Sequence, residues 1–222
     1  MSTASRWLLL AAVLCSTALA QSKVAPDDYA QAIAEMNRAL TERDFEAALA
    51  AIEQADKLLP PTPRTLSMRG AIALERKDWL EAARCLSLAL KLDAKYYPAR
   101  FNMAESLFLQ GKYLESREIF QTMLEENPRD ELLRFRVFLS HLVEKDDATA
   151  RAELAKLKFP GDTPAFYYAN AAWEFAHSNK DEGQAWVTRG NWAFKNPAKT
   201  ENFVEALVQL GWIERPVREK HP

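Results

Sequence analysis

A register with a period of 34 positions constrains the fold of this chain more than any other feature of its sequence. It is visible in four columns that each recur three times without an insertion. The columns are aromatic at Phe45, Trp79 and Tyr113, small at Ala48, Ala82 and Ser116, large at Ile52, Leu86 and Phe120, and apolar at Ala55, Ala89 and Met123. Such a period is typical of stacked structural units, in which each copy buries its apolar face against its neighbours.

Each copy has the pattern of two helices joined by a short turn. In the third copy, apolar residues keep helical spacing over 100–108, and Gln110-Gly111-Lys112 interrupts them. A second helix is predicted from Tyr113, ending at Glu126-Asn127-Pro128. With only six glycines in 222 residues, a β architecture rich in glycine turns is disfavoured. We therefore predict a chain of helical hairpins.

A helical hairpin of this period with these columns resembles the tetratricopeptide repeat, and the resemblance covers residues 29–130. It implies an all-α fold in which antiparallel helix pairs stack into a right-handed superhelix. The first helix of each pair would then line a concave face. Two positions depart from the family pattern, because Met36 occupies a small-residue position of the first copy and Ala94 replaces a closing proline of the second.

The two helices of each hairpin are expected to approach closely at small residues. These positions are Gly70 facing Ala82 in the second copy, and Ala104 facing Ser116 in the third. Because a larger side chain would push the helices apart, the substitution Ala82→Leu is expected to destabilise the second copy and its neighbours.

The register continues less exactly towards the C-terminus. Residues 131–197 are predicted to form two degenerate hairpins, with turns at Lys145-Asp146-Asp147 and Ser178-Asn179-Lys180. Residues 198–213 are predicted to form a capping helix, and residues 214–222 a polar tail. Aromatic residues concentrate in this part of the chain. A helical core explains most of them, and a platform for a peptide or a sugar stays open as an alternative.

The first twenty residues have the features of a targeting segment. Arg6 precedes an uncharged stretch that starts at Trp7 and closes on Ala18-Leu19-Ala20, the small-x-small pattern that signal peptidase accepts. We predict cleavage before Gln21, a short leader over 21–28, and a periplasmic or secreted mature protein without a membrane span. Two alternatives stay open: a retained anchor, although a spanning helix needs about 20 apolar residues, and a lipoprotein modified at Cys15.

The sequence lacks the common signatures of catalysis and of metal or phosphate binding. No two of the six glycines are spaced for a nucleotide-binding loop or a nucleophile elbow. After signal cleavage the chain would keep one cysteine, Cys85, and three histidines, a poor set for a zinc site. A formal net charge of −2 disfavours nucleic acid as a partner. We predict a protein that is not an enzyme and that needs no cofactor or metal.

By analogy with the family, the first helices supply a groove that binds a segment of another protein. The candidate contact residues by this resemblance are Asn37, Arg64, Ser67, Phe101, Asn102, Glu105, Phe135 and Arg136. Among them, Asn102 can bond an extended backbone through its amide, and Arg136 can clamp a carboxylate. Since both are assigned to an open surface, their replacement by alanine is expected to weaken partner binding and to leave stability nearly unchanged.

The sequence therefore predicts a non-catalytic scaffold or adaptor of the cell envelope that binds another protein in its concave groove. The alternative is a self-assembling structural protein, or a chaperone-like assembly factor, that uses its aromatic C-terminal end. Neither interpretation identifies the partner, and a homo-oligomer is compatible with both.

Overall fold

The computed structural model describes residues 26–215, and this part of the chain consists of α-helices and their connections, without a strand. The helices are α1 (Pro26–Glu42), α2 (Phe45–Leu58), α3 (Pro63–Glu75), α4 (Trp79–Leu92), α5 (Tyr97–Leu109), α6 (Tyr113–Glu126), α7 (Glu131–Val143), α8 (Asp147–Leu154), α9 (Ala165–Ala176), α10 (Lys180–Ala193) and α11 (Pro197–Gln209). No helix within the described range is long and apolar enough to cross a membrane. The predicted signal peptide, most of the predicted leader and most of the predicted polar tail lie outside the described residues.

Successive helices pack as hairpins: α1 with α2, α3 with α4, α5 with α6, α7 with α8, and α9 with α10. Odd-numbered helices also touch their counterparts in a neighbouring hairpin, α3 with α5 and α7 with α9, and we call α1, α3, α5, α7 and α9 the inner row. The even-numbered helices from α2 to α10 form the outer row. The predicted all-α solenoid of helical hairpins is confirmed.

The turns inside the hairpins repeat one backbone conformation. One residue in each turn adopts a positive φ: Arg43 at 58°, Lys77 at 58°, Gly111 at 77°, Lys145 at 62° and Ser178 at 65°. The first four recur at the interval of the sequence register, so the fourth hairpin keeps that register although its other columns degenerate. An aspartate follows directly in three of these turns and caps the outer helix. In the second hairpin, Asp78 Oδ1 accepts a hydrogen bond from Glu81 N at 3.1 Å.

Packing within the hairpins depends on small residues, although one predicted contact is different. A Cβ on Gly70 would lie 2.7 Å from the Leu86 side chain, so Gly70 closes on Leu86 rather than on Ala82. Ala82 and Leu86 lie on the same face of α4, because residues four apart in a helix are one turn apart. Ala82 is fully buried one turn before Leu86. In the third hairpin, Ser116 Oγ donates to Ala104 O at 2.8 Å, which ties the two helices together directly.

Helix α11 lies across the inner row. Its side chains Phe203, Ala206 and Leu207 belong to one core cluster with residues of α7 and α9. The Phe203 ring contacts Phe135 of α7, with ring centroids 5.1 Å apart, and Tyr168 of α9, with centroids 5.7 Å apart. Because α11 also contacts α10, it reaches from the last hairpin back over the inner face of the solenoid.

Candidate protein-binding groove

The inner row lines the concave face, and α11 divides this face into two halves. The open half is the surface of α1, α3 and α5 that carries Asn37, Arg64 and Asn102. The covered half is the surface of α5, α7 and α9 beneath α11, and it carries Glu105 and Arg136. The residues predicted from the sequence to contact a partner are divided between these two environments.

In the open half, polar side chains reach the surface. Arg64 Nη2 donates to Asn37 Oδ1 at 3.2 Å, which links the first two inner helices. Both of these residues are exposed, and Asn102 on α5 is half-buried. Ser67 also belongs to α3, but it is fully buried and offers no contact to a partner. The open half thus presents three of the predicted residues where a segment of another protein can reach them.

Phe101 lies at the boundary between the two halves. Its ring is half-buried and meets Phe120 edge-on, with centroids 5.4 Å apart. The Arg136 guanidinium lies over the same ring, 5.7 Å from the centroid. On the surface side, Phe101 stacks on Tyr97 at a centroid distance of 6.1 Å. The ring therefore connects the surface of α5 with the buried arginine of α7.

The covered half contains a buried ion pair. Arg136 Nη2 lies 2.9 Å from Glu105 Oε2, and the two side chains are only 2% and 8% exposed. The same nitrogen donates to Asn202 O of α11 at 3.4 Å. Burial lowers the pKa of Arg136 and raises the pKa of Glu105, while each charge favours the ionised form of the other. Mutual attraction therefore holds these two charges together beneath α11.

The burial of four predicted contact residues corrects the sequence analysis. Ser67, Glu105, Phe135 and Arg136 are buried, whereas an open groove would have left them exposed. For Phe135 and Arg136 the physical reason is α11, which contacts both directly. The apolar stripe on α11 could have indicated that this helix packs by one face. The stripe could not have indicated on which helices α11 packs, because the residues that form its binding surface are far away in the sequence.

A cleft that no sequence pattern indicated lies at the N-terminal ends of the inner helices, and we call it the edge cleft. It is lined by Tyr97, Asp130, Glu131, Leu132, Asp162, Lys199 and Phe203, among others. Two of its acids are engaged in contacts with neighbouring elements. Asp130 Oδ2 accepts from Tyr97 Oη at 2.9 Å, and Glu131 accepts from Thr163 Oγ1. These contacts join α5 to α7 and α7 to the loop before α9, so the cleft marks a junction between repeats.

Several ionisable groups that could support catalysis or metal binding have structural partners. In the described part of the chain, no cluster of three His, Cys, Asp or Glu side chains is placed to hold a metal ion. Burial raises the pKa of Cys85 to about 11, which keeps the thiol protonated at neutral pH. His141 Nδ1 lies 3.1 Å from Asp146 Oδ2, and His177 Nε2 lies 3.0 Å from Asp147 Oδ2. Each histidine therefore binds an aspartate at the start of α8.

Comparison with known sequences agrees with this architecture. The family described as tetratricopeptide repeat matches residues 73–135. A relative from Mycosarcoma maydis, the small glutamine-rich tetratricopeptide repeat-containing protein 2, is 32% identical over 101 residues. These residues are 46% of this chain and 29% of that protein, so the match spans less than a third of the relative's length.

Two solved structures are similar in fold. A tetratricopeptide repeat protein from Parabacteroides merdae superposes with a TM-score of 0.54 at 17% identity, over 84% of this chain and 75% of that chain. A thermophilic tetratricopeptide-repeat protein from Thermus thermophilus superposes with a TM-score of 0.64 at 18% identity, over 82% of this chain and 98% of that chain.

The fold and the groove define a helical-hairpin solenoid, a class of protein in which stacked repeats build one extended concave surface. The sequence register, the recurring turns and the family match show which repeat this is. Residues 73–135 match the tetratricopeptide-repeat family, and the helical hairpins of the described residues have the fold of its repeats. Proteins of this family generally mediate protein–protein interactions and are typically non-catalytic scaffolds.

Proposed function

We propose that this chain is a non-catalytic scaffold that binds a segment of another protein on its concave face, with the open half making the contact. The observation that carries the proposal is the polar strip of Asn37, Arg64 and Asn102 on three successive inner helices. An amide group can both donate to and accept from an extended backbone, and arginine can bind a carboxylate through two parallel hydrogen bonds. This strip therefore suits an extended peptide segment that carries an acidic group.

Charge supports a protein rather than a nucleic acid as the partner. The formal net charge of the chain is −2, with acidic and basic residues interspersed. Several basic side chains are paired with acids, as Arg100 is with Glu126, and as Arg69 is with Asp56 at 2.9 Å. A protein that neutralises a phosphate backbone needs a surplus of basic residues on one face.

Partner capture with single-residue variants tests this function. The chain and its variants Arg64→Ala and Asn102→Ala are used to capture partners from an envelope extract, and bound proteins are quantified by mass spectrometry. Arg84→Ala is the matched control, since Arg84 is an arginine on the outer helix α4 whose side chain is 57% exposed. We expect both inner-row variants to lose the partner and the control to retain it. Equal loss with Arg84→Ala, or full retention by both inner-row variants, contradicts binding at the open half.

We place this function in the cell envelope on the strength of the N-terminal sequence pattern. An uncharged segment followed by Ala18-Leu19-Ala20 favours export with cleavage. N-terminal sequencing of the exported protein is expected to begin at Gln21. A chain that starts at a lipidated Cys15, or that keeps Met1 in a membrane fraction, contradicts this placement.

A second candidate function is self-assembly through the aromatic C-terminal hairpin. Phe159 and Trp192 expose large apolar side chains, at 63% and 78%. Phe159 also contacts Phe166 and Tyr167, with ring centroids 5.7 Å and 6.0 Å apart, so it belongs to a larger aromatic surface. Light scattering over a range of concentrations tests this alternative. A monomer at every concentration removes it, whereas a dimer that Trp192→Ser dissociates supports it.

A further inference from the structure

Half of the concave face is occupied by a helix of the chain itself. We propose that the covered half is a binding site for an amphipathic helix of another protein, and that α11 is its resident occupant, which the partner helix displaces. This inference rests on the proposed function, because it names the kind of partner that the same concave face accepts. Three features of the structure support it: the way α11 is seated, the polar groups beneath it and the charges that hold it closed.

Helix α11 is seated as a helix in a groove. Phe203, Ala206, Leu207 and Leu210 follow the spacing i, i+3, i+4 and i+7, the pattern by which amphipathic helices anchor in apolar grooves. The first three of these residues are buried, and Phe203 is 4% exposed. Its ring lies between Phe135 and Tyr168, at 5.1 Å and 5.7 Å. The covered half therefore recognises a helix with an aromatic anchor followed one turn later by a small residue and a leucine.

The polar groups beneath α11 are only partly satisfied. Arg136 Nη2 reaches Glu105 and the backbone of Asn202, but Arg136 Nε, Arg136 Nη1 and Glu105 Oε1 find no hydrogen-bond partner among the described residues. A buried donor or acceptor without a partner costs free energy, so α11 is an incomplete occupant of this site. An amide side chain could accept from Arg136 and donate to Glu105 at the same time. A partner helix that carries Asn or Gln facing this pair would bind better than α11 does.

Charges at the end of α11 contribute to closure. Arg215 Nη2 donates to Glu205 Oε1 at 2.6 Å, and Glu205 in turn lies within the electrostatic reach of Arg136 and Glu105. Arg215 also interacts electrostatically with Glu75 at the end of α3. The residue is 40% exposed at its side chain, so salt screens this part of the closure. The ion pair between Arg215 and Glu205 is therefore a surface contribution to the closed state that salt weakens.

The test is binding of a labelled synthetic peptide with the sequence of residues 197–210, followed by fluorescence anisotropy. The full chain is compared with Phe203→Ala, which removes the anchor of the resident helix, and with Arg215→Ala, which removes a surface contact only. Phe159→Ala is the control, because Phe159 is an exposed aromatic residue outside the concave face. The apparent affinity of the site for the peptide is the intrinsic affinity multiplied by the fraction of molecules in which the site is open. Because Phe203→Ala raises that fraction, this variant is expected to bind the peptide roughly tenfold tighter or more. Arg215→Ala is expected to change the affinity in the same direction by a smaller factor.

Two outcomes overturn the inference. One is peptide affinity that is the same in the full chain, Phe203→Ala and Arg215→Ala. The other is a chain that dimerises by exchanging α11 and ignores the peptide, which would make a second copy the occupant. Arg215→Ala keeps the test valid even when Phe203→Ala fails to fold, because it leaves the buried anchor in place.

The same experiment separates this inference from the proposed function. If Asn102→Ala loses the captured partner but no chain binds the peptide, the open half works alone and the inference is wrong. Peptide binding that increases in both Phe203→Ala and Arg215→Ala, without capture that depends on Asn102, supports the covered half and contradicts the open half. A peptide in which Phe203 is replaced by alanine should bind to none of the chains, and binding of that peptide also counts against the inference.

Discussion

The open half and the covered half of the concave face are built from equivalent repeat positions, yet their side chains have different environments. Asn102 and Arg136 are separated by one full period of the register and therefore occupy the same position in adjacent repeats. Asn102 is half-buried, whereas Arg136 is 2% exposed and paired with Glu105 beneath α11. The repeat determines which side chains point to the inner face. Whether that face is available to a partner depends on what else in the chain packs against it.

The two halves also differ in how much a substitution should lower the free energy of unfolding. In the open half, Arg64 and Asn37 form a hydrogen bond between side chains near the surface, and such contacts contribute little to stability. In the covered half, removal of one member of the ion pair leaves the other charge buried.

Replacement of Arg136 should be the most destabilising of these changes. In Arg136→Ala, Glu105 stays buried without its counter-charge, and breaking a buried pair in this way costs about 3–5 kcal/mol of unfolding free energy. Urea unfolding measures the loss. The double variant Glu105→Leu/Arg136→Met should recover most of the lost stability, because two apolar side chains leave no buried charge without a counter-charge. A stable Arg136→Ala protein would mean that α11 does not cover this residue in solution.

Overpacking in the second hairpin should have the next largest effect. Ala82 is fully buried, so Ala82→Leu is expected to cost about 1–3 kcal/mol and to loosen the first and third hairpins as well. In hydrogen exchange, the protection of backbone amides is expected to fall mainly in α1 to α6, away from α11. Leu80→Ala on the same helix is the control, since Leu80 is 84% exposed. Equal loss with Leu80→Ala would contradict the packing argument.

The stability of the C-terminal hairpins should depend on pH through the protonation of His177. Hydrogen bonds to Trp173 O and to Asp147 raise the pKa of His177 above its ordinary value. The folding stability that this contact contributes is therefore complete below the pKa of histidine in the unfolded chain, about 6.5. It is lost as the pH rises through the higher pKa of His177 in the folded protein. The effect is small, because His177 is partly exposed and its charge is screened by solvent.

Thermal unfolding at two pH values measures this contribution. The difference in Tm between the wild type and His177→Gln should be larger at about pH 5.5 than at about pH 8.5. An equal difference at both pH values would show that the protonated ring does not contribute to the contact between α8 and α9.

Substitutions in the open half should have the smallest effect on stability. Arg64→Ala and Asn102→Ala are expected to stay within about 0.5 kcal/mol of the wild type in urea unfolding. The comparison of Asn102→Ala with Arg136→Ala is the sharpest, because the two residues share one repeat position. If both variants lost the same stability, the division of the concave face into two halves would be wrong.

The sequence predicted the repeating part of the fold because its signals are local and periodic. Helical spacing, turn residues and small residues recur with one period, and each hairpin packs mainly on its neighbours in the chain. The left-handed turn residues Arg43, Lys77 and Lys145 follow the same register. Three of the groove residues, Asn37, Arg64 and Asn102, were placed on the accessible inner face for the same reason. Export remains a prediction.

Only the tertiary structure decided where α11 lies. Its site is assembled from residues of α5, α7 and α9, which come together after the repeats have stacked, and the contact between Arg136 and Asn202 joins residues 66 positions apart. No period in the sequence encodes such a contact, because it is made once rather than in every repeat. An apolar stripe indicates that a helix packs by one face, but the choice among several apolar surfaces depends on their shape and on the charges beside them. For this reason the sequence determined the row of inner helices, and the fold determined which half of that row is covered.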